Sequence, residues 1–294
     1  MTGAAGAAAP TAFGERLQRV FRASGHLCVG IDPHPYLLDE WQLPVSADGA
    51  REFGLRVVEA AAGVVGIVKP QVAFFERFGS AGFVALEAIF AAARAAGLLV
   101  IADAKRGDIG STAAAYGEAW LAPGSALEAD AMTISAFQGV GSLVEPLRLA
   151  SASGKGLFVL AATSNPESIA SQTAILGRGP LAGRTVAASI VDEVKSNNAN
   201  HTGGDGLGPF GVVIGATVHL ADYGISADDL AGIPILAPGF GHQGAGYDAI
   251  ESIYGAAAAG TVVSSSRAIL IAGPKAVRSA IHAEAHALSR VFGA

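Results

Sequence analysis

Short apolar runs recur along this chain, each four or five residues long and each followed by a segment with helical spacing. They fall at Leu27–Ile31, Val64–Val68, Leu98–Ala102, Ala131–Ile134, Leu157–Ala161, Gly211–Ile214, Pro234–Ala237 and Thr261–Ser264. A sheet with one wet face would alternate apolar and polar residues. Continuous runs instead predict parallel strands covered on both faces. Between them, Phe83, Leu86, Ile89 and Phe90 share a helix face that stops at Gly97, and Val186, Ile190 and Val194 share another. Pro274 is expected to open a last helix carrying Val277, Ile281 and Leu288. Strand and helix repeated eight times close most economically into a barrel, so the predicted fold is α/β, a (β/α)8 TIM barrel.

The 294 residues suit one such domain, expected over 13–294, behind a flexible Ala/Gly-rich tail at 1–12. That tail lacks the basic start and continuous apolar stretch of a signal peptide. The segment KSNNANHTGGDGLGP, 195–209, reads as a long mobile loop before the sixth strand rather than a domain boundary. Hydrophobic residues make up 51% of the chain, enough for a large core, and the charged share is only 15%. The longest nearly apolar stretch, Ala88 to Ala102, contains Arg94 and is shorter than a membrane span, so it reads as buried helix followed by buried strand. A single cysteine, Cys28, forbids an intrachain disulfide and points to a reducing cytosol. A net charge of −6 argues against nucleic acid as partner, since backbone phosphates demand clustered Lys and Arg. A few local cations still suffice for a small anion.

The chemistry collects where strands end. The first strand runs into Asp32, the second into Lys69, and the third into Asp103 and Lys105. The fifth runs into Thr163 and Ser164, the seventh into Pro238-Gly239-Phe240-Gly241, and the eighth into Ser266 and Arg267. In a TIM barrel these positions converge on one mouth, where active sites sit. Densest of all is Asp103-Ala104-Lys105-Arg106-Gly107-Asp108-Ile109-Gly110-Ser111-Thr112. On an extended strand end residues 103 and 105 point the same way, so both are expected to face the mouth. Gly107 and Gly110 permit a tight turn, and Ser111 or Thr112 could cap the next helix.

DAKRGDIGST resembles the signature of the orotidine 5′-phosphate decarboxylase family, Asp-x-Lys-x-x-Asp-Ile/Val-x-x-Thr. The similarity continues through VGIDPHP, IVKPQVAFFE, ATSNP, LAPGFGHQG and VVSSSRAIL, in order on successive strands. Its long loops and HQG variant resemble the longer bacterial branch. The resemblance implies decarboxylation of orotidine 5′-monophosphate to UMP, the last step of de novo UMP synthesis, by side chains alone with no metal or cofactor. Lys105 would protonate C6 of the pyrimidine, while Asp103 and Asp108 hold it charged beside the substrate carboxylate. Asp32 and Lys69 would contact the ribose hydroxyls and extend the charge array. Asp108, Ile109 and Thr112 would reach into a neighbouring subunit's site, implying a homodimer with composite active sites.

The chemistry stands without the family name. Loss of CO2 leaves a carbanion with no electron sink, and only extreme enzymes reach accelerations of about 10^17, roughly 23 kcal/mol. A fixed ammonium beside the developing charge stabilises it without reorienting and can then deliver a proton.

Gly239-Phe240-Gly241-His242-Gln243-Gly244 matches GxGxxG, but no acidic residue lies about 20 residues on, so a dinucleotide fingerprint is rejected. Loops after strands seven and eight of barrels often bind phosphate. Pro238, Gly241 and Gln243 are therefore candidate substrate contacts, with Arg267 as the cation forking onto phosphate oxygens. Ser164, or equally Thr163, is the candidate for the pyrimidine edge. His34, His219 and His242 follow separate strands without metal-ligand spacing and read as loop residues. His282 and His286 read as a solvated face of the last helix, and Phe74-Phe75-Glu76 as core plus surface. Two rivals stand beside this reading: a magnesium-dependent aldolase or decarboxylase acting on a sugar phosphate, and a non-catalytic phosphate-binding barrel.

Overall fold

In the computed structural model, which describes residues 10–199, 201, 206–241 and 244–293, eight strands pair in chain order and close on themselves. They are β1 (Leu27–Ile31), β2 (Ile67–Pro70), β3 (Leu99–Arg106), β4 (Ala131–Ile134), β5 (Gly156–Ala162), β6 (Phe210–Ile214), β7 (Ile235–Pro238) and β8 (Thr261–Ser265). Every neighbouring pair is parallel, and the seam is made by β1 and β8, with Leu27 opposite Val263. The predicted TIM barrel is present.

The apolar runs mark the strands to within a few residues. The largest shift of a strand start is at β2, which begins at Ile67 rather than Val64, because the N–H groups of Val64 and Val65 bond back to the Ala61 carbonyl in a turn. The main helices are α1 (Phe13–Ser24), α2 (Ala47–Ala61), α3 (Gly79–Ala95), α4 (Gly110–Leu121), α5 (Val144–Ala152), α6 (Val186–Asn198) and α7 (Val277–Phe292). Ser46 caps α2 by accepting the Gly49 N–H, and Thr185 caps α6 through the Ala188 N–H.

Three local expectations fail, each for a visible reason. Pro274 does not open α7; it lies in a turn after Gly273, which takes φ +75°, and the helix starts at Val277. The stretch 195–209 is not all loop, because α6 continues to Asn198, a buried residue whose amide bonds both the N–H and C=O of Phe210. Residues 200 and 202–205 of that stretch lie outside the described residues, as do 1–9 of the expected tail. Between β6 and β7 the strand–helix alternation weakens to two 3₁₀ turns, Leu220–Tyr223 and Ala227–Leu230. Gly224 there adopts left-handed φ +66°, and Ser226 forms a capping box with Asp229 that starts a new turn.

Each strand divides its residues between two cores by alternation, interrupted only where the register shifts. Val29, Val68, Val100, Met132, Val159, Val212, Ile235 and Val263 face outward into the layer shared with the helices. Cys28, Ile67, Leu99, Ile101, Ala131, Phe158, Val213, Leu236 and Val262 fill the lumen. Helix α1 plugs the lumen from below with Phe13, Leu17 and Phe21, the ring of Phe13 meeting Phe158 edge-on at 5.9 Å. Glycine at 156 makes room for that ring, since a Cβ there would sit 2.4 Å from it. Arg16 of α1 pairs with Asp130, whose other oxygen accepts the Val100 N–H at 2.8 Å. The apolar lower lumen leaves the strands' C-terminal ends as the place where inward residues turn polar. Among the described residues no helix is long and apolar enough to cross a membrane.

Phe13 therefore seals the barrel floor. Phe13→Ala should lower unfolding free energy by about 3–5 kcal/mol, read as a shift in the urea midpoint. A variant with an unchanged midpoint would mean that α1 is not part of the core.

Candidate active site

Two residues above the apolar lumen, the inward positions of the strands become Asp32, Lys69, Asp103, Thr133 and Ser264, and a cavity of about 710 Å³ opens among them. At its floor, Asp103 receives a hydrogen bond at each of its four acceptor positions. Oδ2 accepts from the ammonium of Lys69 at 2.8 Å and from the Gln71 amide at 3.0 Å. Oδ1 accepts from the ammonium of Lys105 at 2.5 Å and from the Thr133 hydroxyl at 2.9 Å. The Asp103 and Lys69 side chains are only 7% and 6% exposed, while that of Lys105 is 45% exposed and reaches into the cavity.

Burial alone would push the Asp103 carboxyl up, but Lys69, Lys105 and their hydrogen bonds outweigh it and hold the group well below the usual carboxylate range. Burial would likewise discharge Lys69, yet Asp103 and Asp32 outweigh it and hold the ammonium above the usual lysine range. Both groups are thus charged at neutral pH. Lys105 does not reach Asp103 by simple strand alternation. Its backbone takes left-handed φ +47°, and the β3–β4 register breaks between Ala102 and Arg106. A non-glycine residue held there stores strain of about 1–3 kcal/mol.

One wall carries Asp32, His34, Ser266 and Arg267. Asp32 Oδ1 is buried and has no hydrogen-bond partner among the described residues. Glycine at 30 lets this wall close up, since a Cβ there would meet the Ser266 Oγ at 1.8 Å. Arg267 is exposed and, among the described residues, pairs with no carboxylate. His34 packs against Phe74 at 4.2 Å, and burial together with Arg267 and Arg77 lowers its pKa despite Asp32.

The opposite wall carries Thr163, Ser164, Asn165 and Gln172. Gln172 takes up Thr163, accepting its backbone N–H at 2.8 Å and donating to its hydroxyl at 3.0 Å. That hydroxyl donates in turn to Asn165 Oδ1 at 2.8 Å. Ser164 is exposed, with no such bonds among the described residues.

Above, Pro238, Gly239, Phe240 and Gly244 line the cavity. Gly241 is not on that wall, and its N–H is taken by the Ala245 carbonyl at 3.2 Å. Gln243 and His242 lie outside the described residues.

The third acidic group of the motif stays apart. Asp108 accepts the Ile109 N–H at 2.8 Å and, among the described residues, pairs with no cation, so Lys105 has Asp103 as its carboxylate within the chain. Ile109 and Thr112 are exposed beyond the cavity. Helix α4 begins at Gly110 with Ile109 at the N-cap position, so neither Ser111 nor Thr112 caps it. Among the described residues no three His, Cys, Asp or Glu side chains are grouped to hold a metal. His219, His282 and His286 are exposed and outside the cavity.

A family model for orotidine 5′-phosphate decarboxylase / HUMPS matches residues 25–280, nearly the whole barrel. The chain belongs to that family. It is 47% identical over 267 residues to the orotidine 5′-phosphate decarboxylase of Salinispora tropica, spanning 90% of this chain and 92% of that one. The Streptomyces coelicolor enzyme of the same name is 48% identical over 263 residues, spanning 89% and 91%. A Streptomyces avermitilis crystal structure, provisionally described as an orotidine 5′-phosphate decarboxylase, superposes with a TM-score of 0.90 at 44% identity over the whole of both chains. The Leishmania donovani OMP decarboxylase does so at 0.73 and 29% identity, spanning 97% of this chain and all of that one.

The sequence alone does not single out Thr133, Gln71 or Gln172, and it reads His34 as a loop residue, whereas His34 lines the cavity. Thr133 was within reach: stepping by two from inward Ala131 lands on it, level with the end of β3. Gln172 gave no signal, because only the fold of the loop after β5 brings it to Thr163.

The Asp103 charge makes a pH test. A carboxyl depressed by folding stabilises the fold above its unfolded pKa of about 3.9, and that contribution disappears as pH falls through the folded value. Asp103→Asn should be less stable than wild type by about 3 kcal/mol at pH 7. The gap should shrink below about pH 4, as read by urea denaturation across pH. A gap constant with pH would contradict a buried, ionised Asp103.

Proposed function

We propose that this chain decarboxylates orotidine 5′-monophosphate to UMP, using side chains without a metal or cofactor. The observation that carries the reading is the carboxylate of Asp103, saturated by four donors and holding the Lys105 ammonium over a cavity of about 710 Å³. In the reaction the bond from C6 to the carboxyl carbon breaks, CO2 leaves and the electron pair stays on C6. Lys105 Nζ donates its proton to that carbon. Before transfer, the ammonium stabilises the growing charge without rearrangement, because Asp103 already holds it in place.

The cavity divides by chemistry to suit the rest of the nucleotide. Arg267 has no carboxylate partner among the described residues, which suits a phosphate, with Pro238, Gly239 and Gly244 beside it. Asp32 Oδ1, without a partner among the described residues, suits a ribose hydroxyl at the edge of the Lys69–Asp103 pair. Ser164 is favoured over Thr163 for the pyrimidine edge, since Thr163 is already occupied by Gln172 and Asn165. The strong identity to relatives named as orotidine 5′-phosphate decarboxylases favours the nucleotide over a sugar phosphate. Buried charges of this density would burden a barrel that only bound ligand.

We further propose a homodimer in which Asp108, Ile109 and Thr112 complete the partner's site. Support comes from Asp108, which leaves its own Lys105 alone, and from Ile109 and Phe137, 59% and 91% exposed on the adjoining ends of β3 and β4. Exposed apolar groups of this kind mark contact surfaces. A reducing cytosol is the setting that the lone buried Cys28 suits.

Purified enzyme in excess EDTA should consume orotidine 5′-monophosphate, followed by its absorbance, and yield UMP. Lys105→Ala should abolish turnover while UMP still binds. Activity restricted to a sugar phosphate with magnesium would replace this reading with the rival one. Mixing Lys105→Ala and Asp108→Ala subunits should restore part of the activity if sites are shared. No recovery after confirmed subunit exchange would contradict the composite site.

A further inference from the structure

Two ammonium groups, one on each oxygen, do not by themselves fix a carboxylate. Lys105 is long and half exposed, and its backbone sits in a conformation that its own residue type disfavours. Something must hold that backbone, and β4 supplies it. Thr133 is 1% exposed and faces Asp103 across the β3–β4 register break. Its hydroxyl donates to Asp103 Oδ1 at 2.9 Å and accepts the Lys105 backbone N–H at 3.0 Å. A hydroxyl has one hydrogen to give, and here both its donor and an acceptor lobe are in use. Left-handed φ at Lys105 takes its N–H out of the regular parallel ladder, and a partly buried N–H without a ladder bond needs another partner. Thr133 is that partner.

We propose that Thr133 is a positioning residue for decarboxylation. Its one hydroxyl ties the backbone of Lys105 to the carboxylate that holds the same residue's ammonium, so the lysine is fixed at both ends. This inference rests on the reading of Lys105 as the proton donor. Thr133 acts through Lys105 and Asp103 and touches no reacting atom. Serine can reproduce both bonds; valine fills the same space and makes neither.

The test compares Thr133→Val, Thr133→Ala and Thr133→Ser with wild type and Lys105→Ala. The readouts are kcat and KM for orotidine 5′-monophosphate, UMP affinity and thermal midpoint. In Thr133→Val, kcat should fall about 10²-fold, the penalty of a misplaced reacting group. KM and UMP affinity should stay within about threefold, since ground-state binding is untouched. Thr133→Ser should recover kcat to within about threefold of wild type. Should the valine variant not fold, Thr133→Ala decides on the same criteria. Near-normal kcat in a folded valine or alanine variant would overturn the proposal. So would a loss confined to KM, or a serine variant as impaired as valine. An active Lys105→Ala enzyme would instead remove the reading beneath it. Inactive Lys105→Ala beside normal Thr133→Val overturns the role of Thr133 alone.

Discussion

A buried carboxylate with every acceptor position filled organises this molecule's mouth. Asp103 sits where the apolar lumen ends, bonded by Lys69, Gln71, Lys105 and Thr133. A carboxylate taken out of water carries a desolvation penalty of several kcal/mol unless close cations and hydrogen bonds replace the solvent. Here they do, and the replacement is drawn from three adjacent strands. Lys69 and Gln71 come from β2 and the residue after it, Lys105 from β3 and Thr133 from β4. The barrel's closure is what keeps these strands in register, so the charge network and the fold support one another.

The apolar floor beneath Asp103 has a complementary role. Phe13 and Phe158 close the lumen from below, and Cys28 in the same layer has its thiol pushed up to about 12 by burial, with Asp103 and Asp32 adding to the effect against Lys69. The layer below the Lys69–Asp103 pair is thus apolar and buried. An apolar base below and an open cavity above leave the Lys105 ammonium both held by Asp103 and accessible. Preorganisation of that sort is what the proposed decarboxylation would require to stabilise a carbanion.

How much of this was legible beforehand follows from the range of each signal. The eight apolar runs report local burial, and burial on both faces is a property of a strand and its immediate neighbours, so the barrel could be read directly. Lys69, Asp103 and Lys105 could be read because charges directly at strand ends are costly unless used. The failures lie where partners are distant in sequence. The last turn of α6, at 195–198, reads as loop in the sequence, since asparagine is a poor helix former and the bonds of Asn198 to Phe210 are invisible without the fold. Thr163 and Ser164 could not be told apart until Gln172 was seen to occupy one of them.

Local sequence was enough for the barrel and its mouth, because continuous apolar runs and the polar residues that end them report burial strand by strand, and the DAKRGDIGST motif carried the resemblance to the family and the pairing of Asp103 with Lys105. Tertiary structure alone decided that Lys105 turns left-handed, that Thr133 holds it, and that Asp108 leaves it to Asp103 within the chain. The physical reason is that the two bonds of the Thr133 hydroxyl, one from a backbone N–H 28 residues away and one to a carboxylate 30 residues away, depend on strand register and on a break in it. Register is set by the closed sheet as a whole, and no short stretch of residues encodes it.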